Sequence, residues 1–368
     1  MSNPLVRLGE LGQSPWYDYI TRDLVTGGAL ARLIAEDGLR GMTSNPTIFE
    51  KAVSGSHLYD DDLRRLADEG KGPAEIFDAF ADEDIRAACD LFAPLYEREG
   101  NGDGTVSVEV APTLADDGDA TLAEAQRIWK LVGRPNVLVK IPGTKAGLPA
   151  IERATAAGVS VNITLLFSVE RYREVIEAYL RGLEQRVERG ESLAGINSVA
   201  SFFVSRVDTK IDPLLDRMGD PHGIRGRAAI ANACKAYELF EETMAGARWR
   251  KLAAAGARLQ RPLWASTSTK DPKYPDTYYV EALVAPYTVN TLPPDTFDAY
   301  RDHGNPVVRI REGMERADRD LAALADSGID LAQMTRELEE EGVKKFAASY
   351  EQLLAGIEAK AGALVARG

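Results

Sequence analysis

The residue with the most unusual setting in this sequence is Lys140. It stands in Val137-Leu138-Val139-Lys140-Ile141, an otherwise apolar run that reads as a strand buried on both faces. An ammonium buried in such a run is costly unless it is paired or neutralised. Desolvation disfavours the charged form of an amine, and an uncharged amine is the nucleophile that condenses with a carbonyl to give a Schiff base. The plainer readings are a buried ion pair with Glu109 or Asp18, or a strand end that turns the amine to solvent. Glu109, in TVSVEV (105–110), and Asp18, in PWYDYI (15–20), are acids set in β-prone runs of their own. Two carboxylates beside one amine are what imine chemistry needs. One shuttles protons while a carbinolamine dehydrates, and the other takes a hydroxyl proton as a C–C bond breaks. Otherwise Asp18 is a strand-end residue or helix cap, and Glu109 is half of a rim salt bridge.

Asn45, Asn162, Thr164 and Ser201 add neutral hydrogen-bonding groups at the ends of other β-prone runs. Together they suit a polyhydroxylated substrate, although each alone is the kind of residue that caps a helix or makes a turn. Arg206 and Lys270 are the candidate anion holders, with Ser266 as a hydroxyl donor. A guanidinium fits a phosphate with paired N–H groups. Arg206 just after a strand is otherwise a surface residue.

These side chains meet only if the elements that carry them converge. The β-prone runs are PWYDYI (15–20), LRGMTS (39–44), TVSVEV (105–110), NVLVKI (136–141), VSVNITLLF (159–167), INSVASFFV (196–204), PLWAST (262–267) and YTVNTL (287–292). Helical patterns with apolar residues at spacings of three and four separate them, as in DATLAEAQRIWKLV and SVERYREVIEAYLRGLEQRVER. Strands alternating with helices predict an α/β fold with a parallel sheet. Eight such units fit a closed (β/α)₈ TIM barrel spanning residues 1–368 as a single domain, with additional helices. The rival is an open doubly wound sheet. It predicts a glycine fingerprint after the first strand, where the chain instead reads TRDLVTGG. A long helical stretch from Asp330 to Leu364 ends the chain, with Asp330 and Gln333 as its expected capping box. In such a barrel the functional groups sit where strands end, which is where the residues above lie.

Composition narrows the chemistry. With 44 Lys+Arg against 57 Asp+Glu the net charge is −13, which argues against a nucleic-acid or anionic-membrane partner. No run approaches the roughly 18 apolar residues of a membrane span. MSNPLVRLGELGQSPW has no secretory pattern, so the cytoplasm is the expected compartment. Cys89 and Cys234 lie in helical patterns without a CxxC neighbour and read as small core residues. Three histidines far apart in sequence leave no metal site to expect. No P-loop, G-x-S-x-G elbow or H-E-x-x-H appears. Asp60-Asp61-Asp62 and Glu339-Glu340-Glu341 read as solvated helix faces.

The stretches around the candidate residues resemble the transaldolases, in particular their longer bacterial form. The resemblance lies in GMTSNPTIFEKAV (41–53), TVSVEVAPTLADD (105–117), NVLVKIPGTKAGLPAIERATAAGVSVNITLLFSVERY (136–172), SVASFFVSRVDTKID (198–212) and RPLWASTSTKDPKYPDTYYVEALVAPYTVNTLP (261–293), and so covers nearly the whole chain. It implies a cofactor-free barrel whose fourth-strand lysine, here Lys140, forms a Schiff base. A three-carbon dihydroxyacetone unit would pass from sedoheptulose 7-phosphate or fructose 6-phosphate to glyceraldehyde 3-phosphate or erythrose 4-phosphate, as in the non-oxidative pentose phosphate pathway. By the same resemblance Asp18 would take the C4 hydroxyl proton, and Glu109 with Thr164 would hold a proton-relaying water. Asn45, Asn162 and Ser201 would bind the hydroxyls of the three-carbon unit, and Arg206 the phosphate. The expected partners are small-molecule sugar phosphates, bound by a monomer or homodimer.

One departure stands out. Many relatives carry a second phosphate arginine shortly after the seventh-strand serine. Here Ala265-Ser266-Thr267-Ser268-Thr269-Lys270 puts Ser268 in that place, leaving Lys270 to supply the charge. The C-terminal helix around Phe346 and Tyr350 is expected to help cover the site. Two other readings remain at this stage: a fructose 6-phosphate aldolase-like enzyme that releases free dihydroxyacetone, and a non-catalytic sugar-phosphate-binding barrel.

Overall fold

The computed structural model describes residues 3–365, so the first two and last three residues of the expected domain lie outside it. Eight strands, β1 (Gln13–Tyr17), β2 (Gly41–Thr43), β3 (Thr105–Glu109), β4 (Val137–Pro142), β5 (Val161–Leu166), β6 (Ser198–Phe203), β7 (Gln260–Ala265) and β8 (Thr288–Leu292), close into a barrel in chain order. All neighbours are parallel, β8 against β1 included. Each β-prone run overlaps one strand. The first strand starts two residues early, at Gln13, because Gln13 pairs with Thr288 across the seam that closes the barrel.

The helices between the strands cover the outside. Val169–Glu188 shows how: Ser168 caps it by accepting the Arg171 N–H at 3.1 Å, and Tyr172, Val175, Ile176, Tyr179 and Leu183 form its buried stripe. Pro46 opens the helix Pro46–Ser54, the Asp60-Asp61-Asp62 run begins the helix Asp60–Asp68, and a longer helix spans Pro73–Arg98. No described helix is long and apolar enough to cross a membrane.

Alternation along the strands decides which residues enter the barrel. Glu109 lies beside Lys140, and Lys140 beside Asn162, in the β3–β4 and β4–β5 registers. Their side chains share the inner face, while Val106, Val108, Val137, Val139, Val161 and Ile163 face the helices. The interior is plugged at mid-height by Trp16, which is 0% exposed. Gly41, paired with it, makes room: a Cβ at Gly41 would lie 2.5 Å from the indole. Beneath, the Asp103 carboxylate accepts from Ser14 Oγ at 2.7 Å, Arg261 at 2.9 Å and Arg40 at 3.0 Å. Burial alone would raise that carboxyl. The charges of Arg261 and Arg40 and the hydrogen bond from Ser14 outweigh it and hold it below the usual range.

The helix Leu331–Val365 lies across the C-terminal end of the barrel, against the helices Pro46–Ser54, Asp60–Asp68, Pro73–Arg98 and Ser205–Met218. Gly342 lets it approach β5, since a Cβ there would come within 3.1 Å of Leu165. Its start is half of the expected capping box. Asp330 accepts the N–H groups of Ala332 and Gln333, but the Gln333 side chain donates to Glu337 instead of turning back. The acidic clusters are not the solvated faces expected. Asp60 pairs with Lys360 at 2.6 Å, Asp62 with Arg22 at 2.7 Å, Glu339 with Arg171 at 3.3 Å and Glu341 with Lys210 at 2.6 Å, so most of these acids fasten helices together. Cys89 and Cys234 are buried free thiols, as expected of core residues, and burial pushes the Cys234 thiol up to about 12.

Gly41→Ala should drive a methyl into the Trp16 ring and destabilise the fold by about 1–3 kcal/mol, the usual range for overpacking. A denaturant midpoint equal to the parent's would show that the indole is not held where the structure puts it.

Candidate active site

Strand pairing sets Lys140 between two polar neighbours. On one side its Nζ donates to Glu109 Oε2 at 3.2 Å, and a second bond reaches the Ser44 carbonyl at 3.0 Å. Both side chains of the ion pair are nearly inaccessible, at 6% and 3%. On the other side, Asn162 accepts from Ser201 Oγ at 2.7 Å and donates to Ser107 Oγ at 3.0 Å. The plainer reading of Lys140, a buried ion pair with Glu109, is thus present in the geometry. What the ion pair does not account for is the space in front of the amine.

That space is a cavity of about 730 Å³ at the C-terminal end of the barrel. Lys140, Asp18, Thr164 and Ser201 line its depth; Asn45, Arg206, Ser266 and Lys270 line its sides. Eight of the ten candidate residues therefore share one cavity. Glu109 and Asn162 do not line it. Glu109 stands behind Lys140 with its Oε2 engaged by the amine, and Asn162 stands behind Ser201, whose hydroxyl it accepts.

Asp18 follows β1, and its N–H still donates to the Leu292 carbonyl at 2.8 Å. Its Oδ1 accepts from Thr43 Oγ1 at 2.6 Å, and Thr43 in turn meets Thr291 Oγ1 at 2.6 Å. Burial raises the Asp18 carboxyl above its ordinary range, against the opposing pull of Lys140, the Thr43 bond, Arg206 and Lys270. Glu109 is also raised by burial, with Lys140 opposing and Asp18 adding to the rise. Two buried carboxyls moved toward neutrality flank one amine, the pattern of groups that trade protons. Glu109 Oε1 and Thr164 Oγ1 are buried and have no hydrogen-bond partner among the described residues. Thr164 precedes a β-bulge at which Leu165 takes φ 63°, a local device that re-aims the strand end.

Asn45 does both things its position allows. Its Oδ1 caps the helix Pro46–Ser54 by accepting the Ile48 N–H at 3.1 Å, and its amide nitrogen remains for the cavity. Arg206 opens the helix Ser205–Met218, with its guanidinium 4.9 Å from the Phe203 ring and 5.8 Å from the Phe346 ring. Burial lowers its pKa, with Asp18 opposing. Ser266 is held in the left-handed region at φ 55°, and its hydroxyl lies 3.0 Å from that of Ser205. Lys270 Nζ donates to Ser268 Oγ at 2.5 Å, so both residues of the departure occupy the same wall.

Sequence reasoning missed Thr43 and Thr291, which orient Asp18, and the Ser44 carbonyl, which holds Lys140. Thr43 stood at the end of a β-prone run, and that was its only signal. Phe346 does reach the cavity, as expected, but Tyr350 does not; it packs against Phe77 at 5.8 Å.

Lys140→Met should strand Glu109 without its counter-charge and raise that carboxyl further. Folded Glu109 then keeps a proton that the unfolded chain has released, so the stability gained from that proton fades as pH rises. The melting temperature of the variant should recover toward the parent's as pH is lowered through the neutral range; a pH-independent difference would contradict the pairing.

Comparison with known proteins identifies the family. A family model described as Transaldolase/Fructose-6-phosphate aldolase matches residues 15–357. A protein of Acidothermus cellulolyticus named transaldolase is 50% identical over 361 residues, covering 97% of this chain and 96% of that relative. Those of Frankia alni and Thermobifida fusca, also named transaldolase, are 48% identical over 365 residues and 49% over 357, and cover 98% and 97% of the relatives' lengths. With a matching family model over most of its length and relatives this similar end to end, the chain belongs to the transaldolase/fructose-6-phosphate aldolase family.

Proposed function

We propose that this chain is a transaldolase, moving a dihydroxyacetone unit from a ketose phosphate to an aldose phosphate through a Schiff base on Lys140. The observation that carries the reading is the Lys140 amine, 3.2 Å from the Glu109 carboxylate and at the wall of a cavity that Asp18 also lines. The donor is sedoheptulose 7-phosphate or fructose 6-phosphate, the acceptor glyceraldehyde 3-phosphate or erythrose 4-phosphate.

The Lys140 ammonium passes one proton to Glu109 Oε2, the freed amine attacks the ketose C2 carbonyl, and a second nitrogen proton moves to the carbonyl oxygen to complete the carbinolamine. The carbinolamine hydroxyl leaves as water, taking a proton back from Glu109 through a water held between Glu109 Oε1 and Thr164 Oγ1, the two buried atoms that lack protein partners. The resulting iminium is an electron sink. Asp18 takes the C4 hydroxyl proton, the C3–C4 bond breaks, and its electrons move onto the nitrogen as an enamine while the aldose phosphate departs. The enamine then adds to the acceptor aldehyde, Asp18 returns the proton, and water frees the product. Ser201 and Asn45 hold hydroxyls of the retained unit, Asn162 fixes Ser201, and Arg206, Lys270 and Ser266 take the phosphate. A cytoplasmic monomer or homodimer belongs to the same reading, since one chain supplies every group used and both cysteines are free thiols.

Borohydride added with fructose 6-phosphate should leave a three-carbon adduct on the peptide containing Lys140, and none in Lys140→Met. An adduct elsewhere, or turnover in that variant, would remove Lys140 from the mechanism. Product analysis with and without acceptor separates transfer from the release of free dihydroxyacetone, the other activity in the family's description.

The Thr43 bond lowers the Asp18 carboxyl, so losing it raises that carboxyl. Asp18 acts as a base, so activity is lost as pH falls through its pKa. Thr43→Val should accordingly move the acid limb of the kcat–pH profile to higher pH. An unmoved limb would mean that another group is the base.

A further inference from the structure

The cavity wall holds a cation that neither the strand ends nor the sequence pattern pointed to. Lys345 comes from the helix Leu331–Val365, and it lines the cavity together with Arg206, from the helix after β6, and Lys270, from the loop after β7. Among the described residues none of the three forms an ion pair. Cations around them do: Arg171 with Glu339, Lys210 with Glu337 and Glu341, Lys360 with Asp60. In a chain of net charge −13, three unpaired cations gathered in one cavity run against the surface trend, even with Lys51, Asp276 and Asp295 on the same lining. They also work against one another, since Lys270 is held below its ordinary range by partial burial and by the charges of Arg206 and Lys345. A multivalent anion relieves that repulsion. Phe346, the next residue on the helix, already touches the group, with its ring 5.8 Å from the Arg206 guanidinium.

We infer that Lys345 is a third cationic contact for the substrate's phosphate, so that a bound phosphate ties the C-terminal helix to the barrel. The inference rests on the sugar-phosphate reading above. It adds that the covering helix is closed by the substrate's own charge: Arg206 and Lys270 hold the anion from the barrel side and Lys345 from the helix side. Exchange of one phosphorylated ligand for the next would then loosen and refasten the helix in each half of the cycle.

Lys344 provides the control. It is on the same helix and carries the same charge, but it lines a separate concavity with Asp116, Glu339 and Glu340. Inorganic phosphate serves as the probe, as a competitive inhibitor against fructose 6-phosphate. K345Q should weaken inhibition by phosphate about fivefold or more relative to K344Q, a loss on the scale of one charge-assisted contact, and K345R should restore most of it. Hydrogen exchange in residues 340–350 should slow when phosphate is added to the parent and to K344Q, but not to K345Q. Equal inhibition of K345Q and K344Q, or equal phosphate protection of the helix in both, overturns the inference. Borohydride trapping of the three-carbon adduct on Lys140 is run on the same samples. Where trapping persists and the phosphate response is flat, Lys345 alone is refuted; where trapping fails in the parent, the Schiff-base reading beneath it falls.

Discussion

Keeping a lysine amine and a carboxylate together out of water is the difficulty around which the mouth of this barrel is built. Two charges removed from solvent attract each other strongly, yet the desolvation they suffer can exceed that attraction unless further hydrogen bonds complete the arrangement. Lys140 and Glu109 meet it through main-chain order. The parallel register of β3 and β4 sets the two residues side by side, and the Ser44 carbonyl at the end of β2 supplies the second acceptor. A shift of β4 by one residue would turn Lys140 outward under the helices and leave Glu109 buried alone. The closed sheet fixes that register on both sides, because each strand is pinned by two neighbours and none has a free edge.

The same constraint spreads outward as an electrostatic order. Burial raises the Glu109 and Asp18 carboxyls, and the Lys140 charge restrains both. Asp18 is restrained further by Thr43 and by the cations of the cavity wall, so a single buried aspartate is tied to a strand-end hydroxyl and to the phosphate end of the site. Asp18 and Lys140 lie deep, and Arg206, Lys270 and Lys345 gather on one wall of the cavity.

Much of this could be read from the chain. Several of the eight runs could be recognised as strands because strands covered on both sides carry few polar residues, and the exceptions, Lys140, Glu109, Asn162 and Thr164, marked the chemistry. What could not be read depends on registry between distant segments. Thr43 is one threonine among many until Asp18 is brought beside it, and the Ser44 carbonyl leaves no trace in a side-chain pattern. Asn162 stands level with Lys140 in the β4–β5 register, and its bonds with Ser107 and Ser201 could not be read from its own strand. The acidic triplets looked solvated because their partners, Arg22, Arg171, Lys210 and Lys360, lie on other elements far away in sequence. Asn45 was ambiguous between cap and contact, and the geometry permits both.

Trp16 and the Asp103 cluster give the barrel a stopper. With the lower half filled by an indole and a network of arginines, the described residues leave the reactive amine a single doorway, on the side crossed by the C-terminal helix. Traffic through it has to alternate: whatever is cleaved off must exit before the next aldehyde can come in. A tunnel stopped at its base makes the outgoing aldose and the incoming one share the same mouth.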